Sequence, residues 1–348
     1  MHFIRKPFVA GALLVLLAVV FLSACGSDKA VDGGSSPAAS STPESTPAPA
    51  SSTSSAETGN QENAASTRTV STVNGDVEIP AQPKRIVALY YHHILLALGE
   101  SPVGANLTWW GGSPFLKDLE SGIKDVGGPL SLEAVTALEP DLIIMNSQNA
   151  EDYEQFSKIA PSLLIPYDGN RGVYEDAKLL AEMLGKPDAA DQLTADFEKK
   201  AAEARAKLGG VLDGDVKAAI IRIDSKGGQF TVFGDNYGRG GWSIYKGLQM
   251  QYPAKIKEAV VDSGKQIVQE LSLEQLTDFV QDADYLFVSN EGFGLDVVKD
   301  SSVWKSLPAV KENRVIELDG KQYFYFDPIS ISAQLDLIVD LLQKHQAE

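Results

Sequence analysis

A glycine-rich stretch at residues 236–242, NYGRGGW, places a single arginine between two aromatic side chains. Arg239 lies among three glycines, with Tyr237 on one side and Trp242 on the other. Glycine lacks a β-carbon, so such a stretch can bring backbone close to a ligand. It is not a phosphate-binding loop, because neither G-x-x-x-x-G-K-S/T nor G-x-G-x-x-G matches it. The guanidinium of Arg239 is suited to carboxylate or hydroxamate oxygens, although a plain turn with an exposed arginine fits the same letters.

Other aromatic and basic side chains occur near the ends of predicted strands, where ligands gather in open α/β folds. These further candidates for ligand contact are Tyr90, Tyr91, His92, Trp109, Trp110, Arg171, Arg222, Tyr323 and Tyr325. Core packing explains any single aromatic residue of this set equally well. Taken together, the candidates predict a cleft with aromatic walls and few cations.

Two kinds of chemistry lack the residues that they need. A carrier of bare zinc or manganese uses several histidines and carboxylates, whereas His92, His93 and His345 are the histidines beyond the N-terminal segment. A serine hydrolase would need a G-x-S-x-G motif, which the chain does not contain. A glycosidase needs only two carboxylates, so a secreted hydrolase stays an alternative on sequence grounds. We expect no enzyme, no protein-held metal and no cofactor.

The N-terminus has the pattern of an export signal. Basic Arg5 and Lys6 precede an apolar run that is short for a membrane-spanning helix, which needs about 20 apolar residues. The run ends in LSAC, and Cys25 is the only cysteine of the chain. This ending resembles the lipobox of bacterial lipoproteins, in which the cysteine is lipidated. We therefore expect a protein anchored by lipid on Cys25 to the outer face of the cell membrane.

The charge balance excludes one class of partner. The chain has 30 Lys and Arg against 47 Asp and Glu, a net charge of −17 at pH 7. Nucleic-acid binding needs clustered basic side chains, so nucleic acid is not expected as a partner. The same balance disfavours a strongly anionic ligand at long range.

Two segments, residues 129–145 and 269–288, repeat one pattern. Each has Ser-Leu-Glu, a short helix and then an apolar strand, and Ser131 and Ser272 are suitable N-cap residues. Short apolar runs of this kind are typical of buried parallel strands. The repeat therefore predicts an α/β protein with two lobes of similar architecture.

The periodicity also predicts where the parts of the chain begin and end. Apolar residues at helical spacing end just before Gly185, a suitable C′ residue, and Pro187 follows. This pattern predicts a helix between the two lobes. The expected parts are a signal peptide at 1–24, a disordered Ser/Thr/Pro/Ala-rich tether at 25–70, an N-terminal lobe at 71–169, an interlobe helix at 170–186 and a C-terminal lobe at 187–348.

With these features the chain resembles the substrate-binding lipoproteins of bacterial ABC importers for iron-siderophores, the helical-backbone class of periplasmic binding proteins. The resemblance covers about Val70 to Glu348. It rests on the lipobox, PKRIVALYYHHILLALGESPVGA, SLEAVTALEPDLII, GDNYGRGG and YFYFDPISISAQLDLI. It implies two α/β lobes joined by a single long helix, a ligand cleft between the lobes, and a monomer that delivers its ligand to an ABC permease dimer.

The resemblance also implies a role for one glutamate in each lobe. Glu133 and Glu274 both lie in a Ser-Leu-Glu unit, and in this family such glutamates dock onto arginines of the permease. A glutamate in the first turn of a helix also stabilises that helix by about 0.3–1 kcal/mol, which is a purely structural reason for the same residue.

The charge of the candidate cleft favours one class of siderophore. A ferric tris-catecholate is strongly anionic and needs several basic side chains, whereas a ferric hydroxamate is near neutral or weakly cationic. The candidate cations are few: Arg171, Arg222, Arg239 and Lys321. We therefore expect a ferric hydroxamate. Haem, cobalamin and ferric citrate remain alternatives, haem through His92, His93 or a cleft tyrosine.

Overall fold

The computed structural model describes residues 66–167, 169–224, 228–292 and 294–347. The signal peptide, Cys25 and most of the tether lie outside the described residues. The tether was expected to reach residue 70, but the first strand already begins at Thr67. In the described part of the chain, no helix combines the length and the apolar character that a membrane crossing requires.

The strands form three sheets. Their bounds are β1 Thr67–Thr72, β2 Gly75–Pro80, β3 Ile86–Ala88, β4 Gly104–Ala105, β5 Lys124–Asp125, β6 Leu142–Asn146, β7 Ser162–Ile165, β8 Ala218–Ile223, β9 Gln229–Phe233, β10 Ile267–Ser272, β11 Tyr285–Asn290 and β12 Val315–Asp319. The β1–β2 pair is an antiparallel hairpin. A five-stranded parallel sheet has the order β5-β4-β3-β6-β7, and a five-stranded mixed sheet has the order β10-β9-β8-β11-β12.

The helices are mostly short. Their bounds are α1 His92–Ala97, α2 Leu107–Trp110, α3 Lys117–Glu120, α4 Leu132–Ala137, α5 Tyr153–Phe156, α6 Val173–Met183, α7 Pro187–Lys207, α8 Ala254–Ile256, α9 Leu276–Val280, α10 Leu295–Val298, α11 Ser302–Ser306, α12 Pro308–Lys311, α13 Gly320–Tyr323 and α14 Pro328–Ala347. Shorter 3₁₀ or π turns occur at Ser147–Asp152, Trp242–Gly247, Lys257–Val261 and Leu273–Gln275.

The two large sheets define the two lobes. We call residues 86–165, with the first sheet, the N-terminal lobe, and residues 218–347, with the second, the C-terminal lobe. In the second sheet β8, β11 and β12 are parallel, while β9 and β10 are antiparallel to their neighbours. The predicted α/β class with parallel sheets is confirmed.

The central strands of the two large sheets are buried on both faces, as their continuous apolar runs predict. Successive side chains of a strand point to opposite faces, so such a strand contributes to two cores. Ile143 and Met145 of β6 pack in a core of the N-terminal lobe, whereas Leu142 and Ile144 join a core shared with α6, α7 and α14. In the same way Ile221 of β8 packs within the C-terminal lobe and Ile220 in the shared core. The shared core therefore holds the two lobes together.

The long helix that joins the lobes is α7, which lies within the range expected for the C-terminal lobe, and the shorter α6 leads into it. The helix expected at 170–186 corresponds to α6, and Gly185 (φ 71°) ends it as a C′ glycine before Pro187 begins α7. At the start of α7, Lys186 pairs with Glu100 of the N-terminal lobe. Near its end, Arg205 donates to the carbonyl of Gly247 in the C-terminal lobe. The 21 residues of α7, about 30 Å of helix, thus extend from one lobe to the other.

Candidate functional site

A cavity of about 400 Å³ opens between the lobes, next to the carboxyl ends of several strands. Its size and position are typical of ligand sites in α/β proteins. Its walls are Tyr90, His93, Trp109, Trp110, Gly111, Leu116, Gln148 and Tyr167 on one side, and Asn236, Tyr237, Arg239, Phe324, Tyr325, Phe326 and Asp327 on the other. A larger cavity of about 640 Å³ lies at the base of the C-terminal lobe, where Asp213, Asp215, Asp284 and Glu312 are among its walls. The interlobe cavity is the candidate ligand site because it combines aromatic walls with a guanidinium.

The glycines around Arg239 have a packing role. Gly238, Arg239 and Gly240 all have positive φ, of 75°, 56° and 76°. A β-carbon at Gly238 would lie 2.3 Å from the carbonyl oxygen of Phe324. The loop therefore packs directly against the backbone of the segment that precedes α14. Gly238 and Gly241 thus allow this loop to approach other protein backbone closely.

Arg239 lies at the cavity wall with only 5% of its surface exposed. Its Nε and Nη2 donate to Oε1 of Glu291 at 3.0 and 2.9 Å. Its Cζ is 4.3 Å from the ring centre of Phe324, 5.2 Å from that of Phe233 and 5.8 Å from that of Tyr237. Such cation–π contacts and a paired carboxylate offset the cost of burying the charge.

The wall of the N-terminal lobe is aromatic. The ring of Tyr90 meets that of Trp110 edge-on at 4.9 Å between centroids and that of His93 at 5.9 Å. Trp109 is 55% exposed, and its ring covers Gly128, where a β-carbon would lie 2.6 Å from the indole nitrogen. Asn106 caps the short helix α2 by accepting from the backbone of Trp109. Strand ends and a one-turn helix thus place three large rings at one wall.

Two titratable side chains of this wall, Tyr90 and His93, stay neutral near pH 7. Burial, together with the neighbouring His92, lowers the pKa of His93 to about 3. Burial raises the pKa of Tyr90 and, across the cavity, that of Tyr325. A neutral imidazole and protonated phenols give this part of the cavity dipoles and aromatic faces without a net charge.

Asp327 is the carboxylate of the cavity wall, and it is 3% exposed. Burial raises its pKa, although its Oδ1 accepts from the backbone N–H of Ser330 at 2.8 Å. That bond makes Asp327 the N-cap of α14, so its charge faces the positive end of the helix.

The two lobes touch around the cavity. Ser113 and Ser330 form a buried hydroxyl–hydroxyl hydrogen bond of 2.7 Å. Tyr325 donates from its hydroxyl to the carbonyl of Gly112 at 2.5 Å. On the other side, Asn236 of the C-terminal lobe donates to the carbonyl of Arg171, in the segment between the N-terminal lobe and α6, at 2.9 Å. The cavity is therefore framed by polar contacts between the lobes.

The structure places half of the twelve predicted ligand contacts on this cavity. These six are Tyr90, Trp109, Trp110, Tyr237, Arg239 and Tyr325. The other six, Tyr91, His92, Arg171, Arg222, Trp242 and Tyr323, are not among its lining residues.

Burial explains three of the residues that do not reach the cavity. Tyr91, His92 and Tyr323 are each 1% exposed, so they present almost no surface to a ligand. Tyr91 has φ 67° and precedes α1, and His92 binds Oε1 of Glu120 at 2.9 Å through Nε2. These three residues are packing residues in this structure.

The other three are held by neighbouring protein groups. Arg171 pairs with Asp176 at 2.7 Å. Trp242 packs over Gly172 and beside Tyr174, with ring centroids 5.6 Å apart. Arg222 pairs with Glu291 at 3.3 Å, behind Arg239.

Sequence reasoning missed several residues of the walls. Gln148, Asn236, Phe324, Phe326 and Asp327 line the cavity but were not named as ligand contacts, and His93 was named only as a possible haem ligand. Most of them stand beside residues that were named, in YYHH, NYGRGGW and YFYFD. Glu291 was also missed, although a polar residue directly after β11 is at the edge where ligands bind in this class of fold.

Glu133 and Glu274 are both exposed, one at the first turn after each predicted N-cap. Ser131 caps α4 by accepting from the backbone of Ala134 at 3.1 Å, as predicted. Ser272 forms a capping box with Gln275. Among the described residues, neither glutamate is in a salt bridge, so both carboxylates are available to a partner.

The described residues contain no group of three or more His, Cys, Asp or Glu arranged to hold a metal ion.

Comparison with known proteins gives consistent results. Residues 86–322 match the family model described as periplasmic binding protein. The iron(3+)-hydroxamate-binding protein YxeB of Bacillus subtilis is 38% identical over 349 residues, 99% of each chain. The probable siderophore-binding lipoprotein YfiY of the same organism is 30% identical over 334 residues, 90% of this chain and 91% of the relative.

A solved structure supports the fold. It is the crystal structure of a FhuD-fold protein from Bacillus subtilis, a periplasmic binding protein component of a ferrichrome ABC transporter. It superposes with a TM-score of 0.67 at 36% identity, covering 78% of this chain and 99% of that chain. The interlobe cavity can therefore be interpreted in the context of binding proteins with this fold.

Proposed function

We propose that this chain, which belongs to the periplasmic binding protein family, captures a ferric hydroxamate siderophore in the interlobe cavity and delivers it to an ABC permease. The observation that carries the proposal is the cavity itself. It sets aromatic rings of one lobe opposite a single buried guanidinium of the other. The relative YxeB is named for binding iron(3+)-hydroxamate, and the FhuD-fold neighbour is named as part of a ferrichrome transporter.

The chemistry of the walls suits a complex whose iron is already fully coordinated. Burial raises the pKa of Tyr90 and of Tyr325, so both phenols keep their protons near pH 7 and are poor candidates for iron ligands. Aromatic faces can pack on the apolar linkers of a siderophore, and the guanidinium can donate to hydroxamate oxygens. Recognition then acts on the outer surface of the complex, and no bond is made or broken.

We place the protein on the outer face of the cell membrane, held by lipid on Cys25 and a tether. The lipobox-like LSAC supports this proposal, as does the relative YfiY, which is named a lipoprotein. The two lobes would close modestly on the ligand, because α6, α7 and the shared core limit their movement.

We further propose that Glu133 and Glu274 dock on basic residues of the permease, one from each lobe. Both are exposed and occupy matching positions in the two Ser-Leu-Glu units. Replacing both by glutamine is expected to leave ligand affinity unchanged and to abolish uptake of the iron complex by cells. The matched control is Glu203→Gln with Glu258→Gln, which changes the net charge equally at other exposed positions. Normal uptake by the Glu133/Glu274 double variant would contradict the docking proposal.

Tryptophan fluorescence of the purified protein tests ligand capture directly, since Trp109 and Trp110 line the cavity. The titrants are ferrioxamine B, a ferric hydroxamate, then ferric enterobactin, a ferric tris-catecholate, then ferric citrate and haemin. Saturable quenching by the hydroxamate, tighter than by the other three, is the expected result. Tight binding of haemin with a Soret shift would point to His93 as an axial ligand. The absence of a response to all four would overturn the proposed function.

A further inference from the structure

Glu291 follows β11 directly and lies behind the cavity wall, with about 18% of its side chain exposed. Its Oε1 accepts from Nε and Nη2 of Arg239, and its Oε2 accepts from Nη1 of Arg222 at 3.3 Å. One carboxylate therefore binds two arginines, of which only Arg239 lines the cavity.

The two guanidiniums lie near the same aromatic ring. Cζ of Arg222 is 5.9 Å and Cζ of Arg239 is 5.2 Å from the ring centre of Phe233. Arg222 also pairs with Asp224 at 3.5 Å. Two arginines and two carboxylates thus form one cluster with no net formal charge. We call Arg222, Asp224, Arg239 and Glu291 the charge cluster.

The rest of the cavity wall adds little charge. Among the described residues, Arg239 is the cation and Asp327 the carboxylate that line the cavity. Asp327 caps α14, where the helix N-terminus compensates its charge. The balance between Glu291 and the two arginines therefore contributes directly to the field that a ligand experiences at the Arg239 wall.

We infer that Glu291 determines the charge selectivity of the cavity, keeping it open to neutral and cationic ferric complexes and closed to polyanionic ones. The inference rests on the proposed function, because it concerns which ferric complex the site accepts. Without the Glu291 carboxylate, the charge cluster would carry one excess positive charge beside the ligand. Coulomb attraction would then favour a polyanion.

A purely structural role for Glu291 makes a different prediction. If the carboxylate served only to hold Arg239 in place, its loss would lower the affinity for every ligand. If it sets the charge, its loss raises the affinity for anionic ligands and lowers the affinity for cationic ones. Opposite signs for two ligands in one variant cannot result from misplacement of Arg239.

The variant that separates these roles is Glu291→Gln, which keeps a carbonyl oxygen as acceptor for Arg239 and removes only the charge. The probes are ferrioxamine B, which is cationic, ferrichrome, which is neutral, and ferric enterobactin, which is trianionic. Dissociation constants come from tryptophan fluorescence at low and at physiological salt. We expect ferric enterobactin to bind about tenfold tighter or more and ferrioxamine B to bind about threefold weaker, with ferrichrome nearly unchanged. The gain for the trianion should shrink as salt is added.

Two further variants serve as control and rescue. Glu312→Gln removes the carboxylate of another Glu–Arg pair, with Arg314 at 3.2 Å, away from the cavity. This variant should leave the order of affinities for the three ferric complexes unchanged. Adding Arg222→Gln to Glu291→Gln restores a neutral charge cluster without altering a residue that lines the cavity. The double variant should recover the order of affinities that the natural protein shows for the three ferric complexes.

The possible outcomes are distinct. A natural protein that binds none of the three complexes overturns the proposed function and this inference with it. A natural protein that binds ferrioxamine B or ferrichrome, together with a Glu291→Gln variant whose ranking does not move, overturns the inference alone. Equal weakening of all three ligands in Glu291→Gln also overturns it, because that result identifies a positioning role only.

Discussion

The two walls of the interlobe cavity differ in kind. The N-terminal lobe contributes Tyr90, Trp109 and Trp110, side chains without charge. The C-terminal lobe contributes Arg239, a charge that is buried among rings and bound to Glu291. We propose from this difference that the N-terminal wall recognises shape and apolar surface, whereas Arg239 adds recognition of charge and hydrogen-bond acceptors to the C-terminal wall. Variants of the two walls should therefore differ in whether the loss of affinity that they cause depends on the charge of the ligand.

Removing the charge is expected to have the largest effect on binding. Arg239→Ala should weaken ferric hydroxamate binding by roughly tenfold to a hundredfold, because hydrogen bonds from a charged donor contribute about 1.5–3 kcal/mol. Fluorescence titration measures the loss. Thermal unfolding should show a folded protein, since Glu291 keeps Arg222 as a partner. Unchanged affinity in a folded variant would remove Arg239 from the site.

Truncating the aromatic wall should have a smaller effect that is uniform across ligands. Trp110→Ala removes the ring that contacts Tyr90 edge-on, and we expect about a tenfold loss for neutral and charged ferric complexes alike. Isothermal titration calorimetry avoids dependence on the tryptophan signal. Trp304→Phe, a buried tryptophan of the C-terminal lobe core, is the matched control. If the loss of affinity in Trp110→Ala depended on the charge of the ligand, the proposed distinction between the aromatic wall and the charged wall would be wrong.

Sequence reasoning found the two-lobe fold because each half carries its own pattern. The Ser-Leu-Glu units predicted a helix and a buried strand in both halves, and the structure has α4 before β6 and α9 before β11. Local signals of this kind need only neighbouring residues. The bulge of β10, where Glu270 has φ 57°, had no comparable signal.

The candidate site was harder to predict because adjacent residues face opposite ways. Tyr90 and His93 reach the cavity while Tyr91 and His92, between them, are buried. The left-handed conformation of Tyr91 at the start of α1 decides this, and the letters YYHH do not show it. Glu291 was missed for another reason. It is 52 positions from Arg239, and only the folded sheet brings the two together.

The contact between the walls can be tested through stability. Ser113 and Ser330 share a buried hydrogen bond across the lobes. A double-mutant cycle with Ser113→Ala and Ser330→Ala should give a coupling free energy of about 1 kcal/mol in urea unfolding. A coupling near zero would show that the lobes are held by the shared core without this bond.

The smallest expected effect is that of pH on binding, because the neutral wall does not titrate in the ordinary range. With the pKa of His93 lowered to about 3, its imidazole is uncharged from pH 5 to pH 8, and the raised pKa of Tyr90 keeps that phenol protonated. These two side chains should therefore change the affinity for ferrichrome by less than about twofold across this range. A larger change that disappears in His93→Gln would show that the aromatic wall carries charge after all.

The same pKa shift has a defined consequence for stability. Below about pH 6.5 the unfolded chain protonates His93, whereas the folded chain does not until about pH 3. The unfolded state then binds more protons, so the free energy of unfolding falls as pH decreases through this window, by at most about 1.4 kcal/mol per pH unit. Urea unfolding at pH 7 and pH 5 should show a smaller decrease for His93→Gln than for the natural protein. Equal decreases would mean that His93 accepts a proton in the folded state, which would give the N-terminal wall a charge and remove the contrast with the wall that carries Arg239.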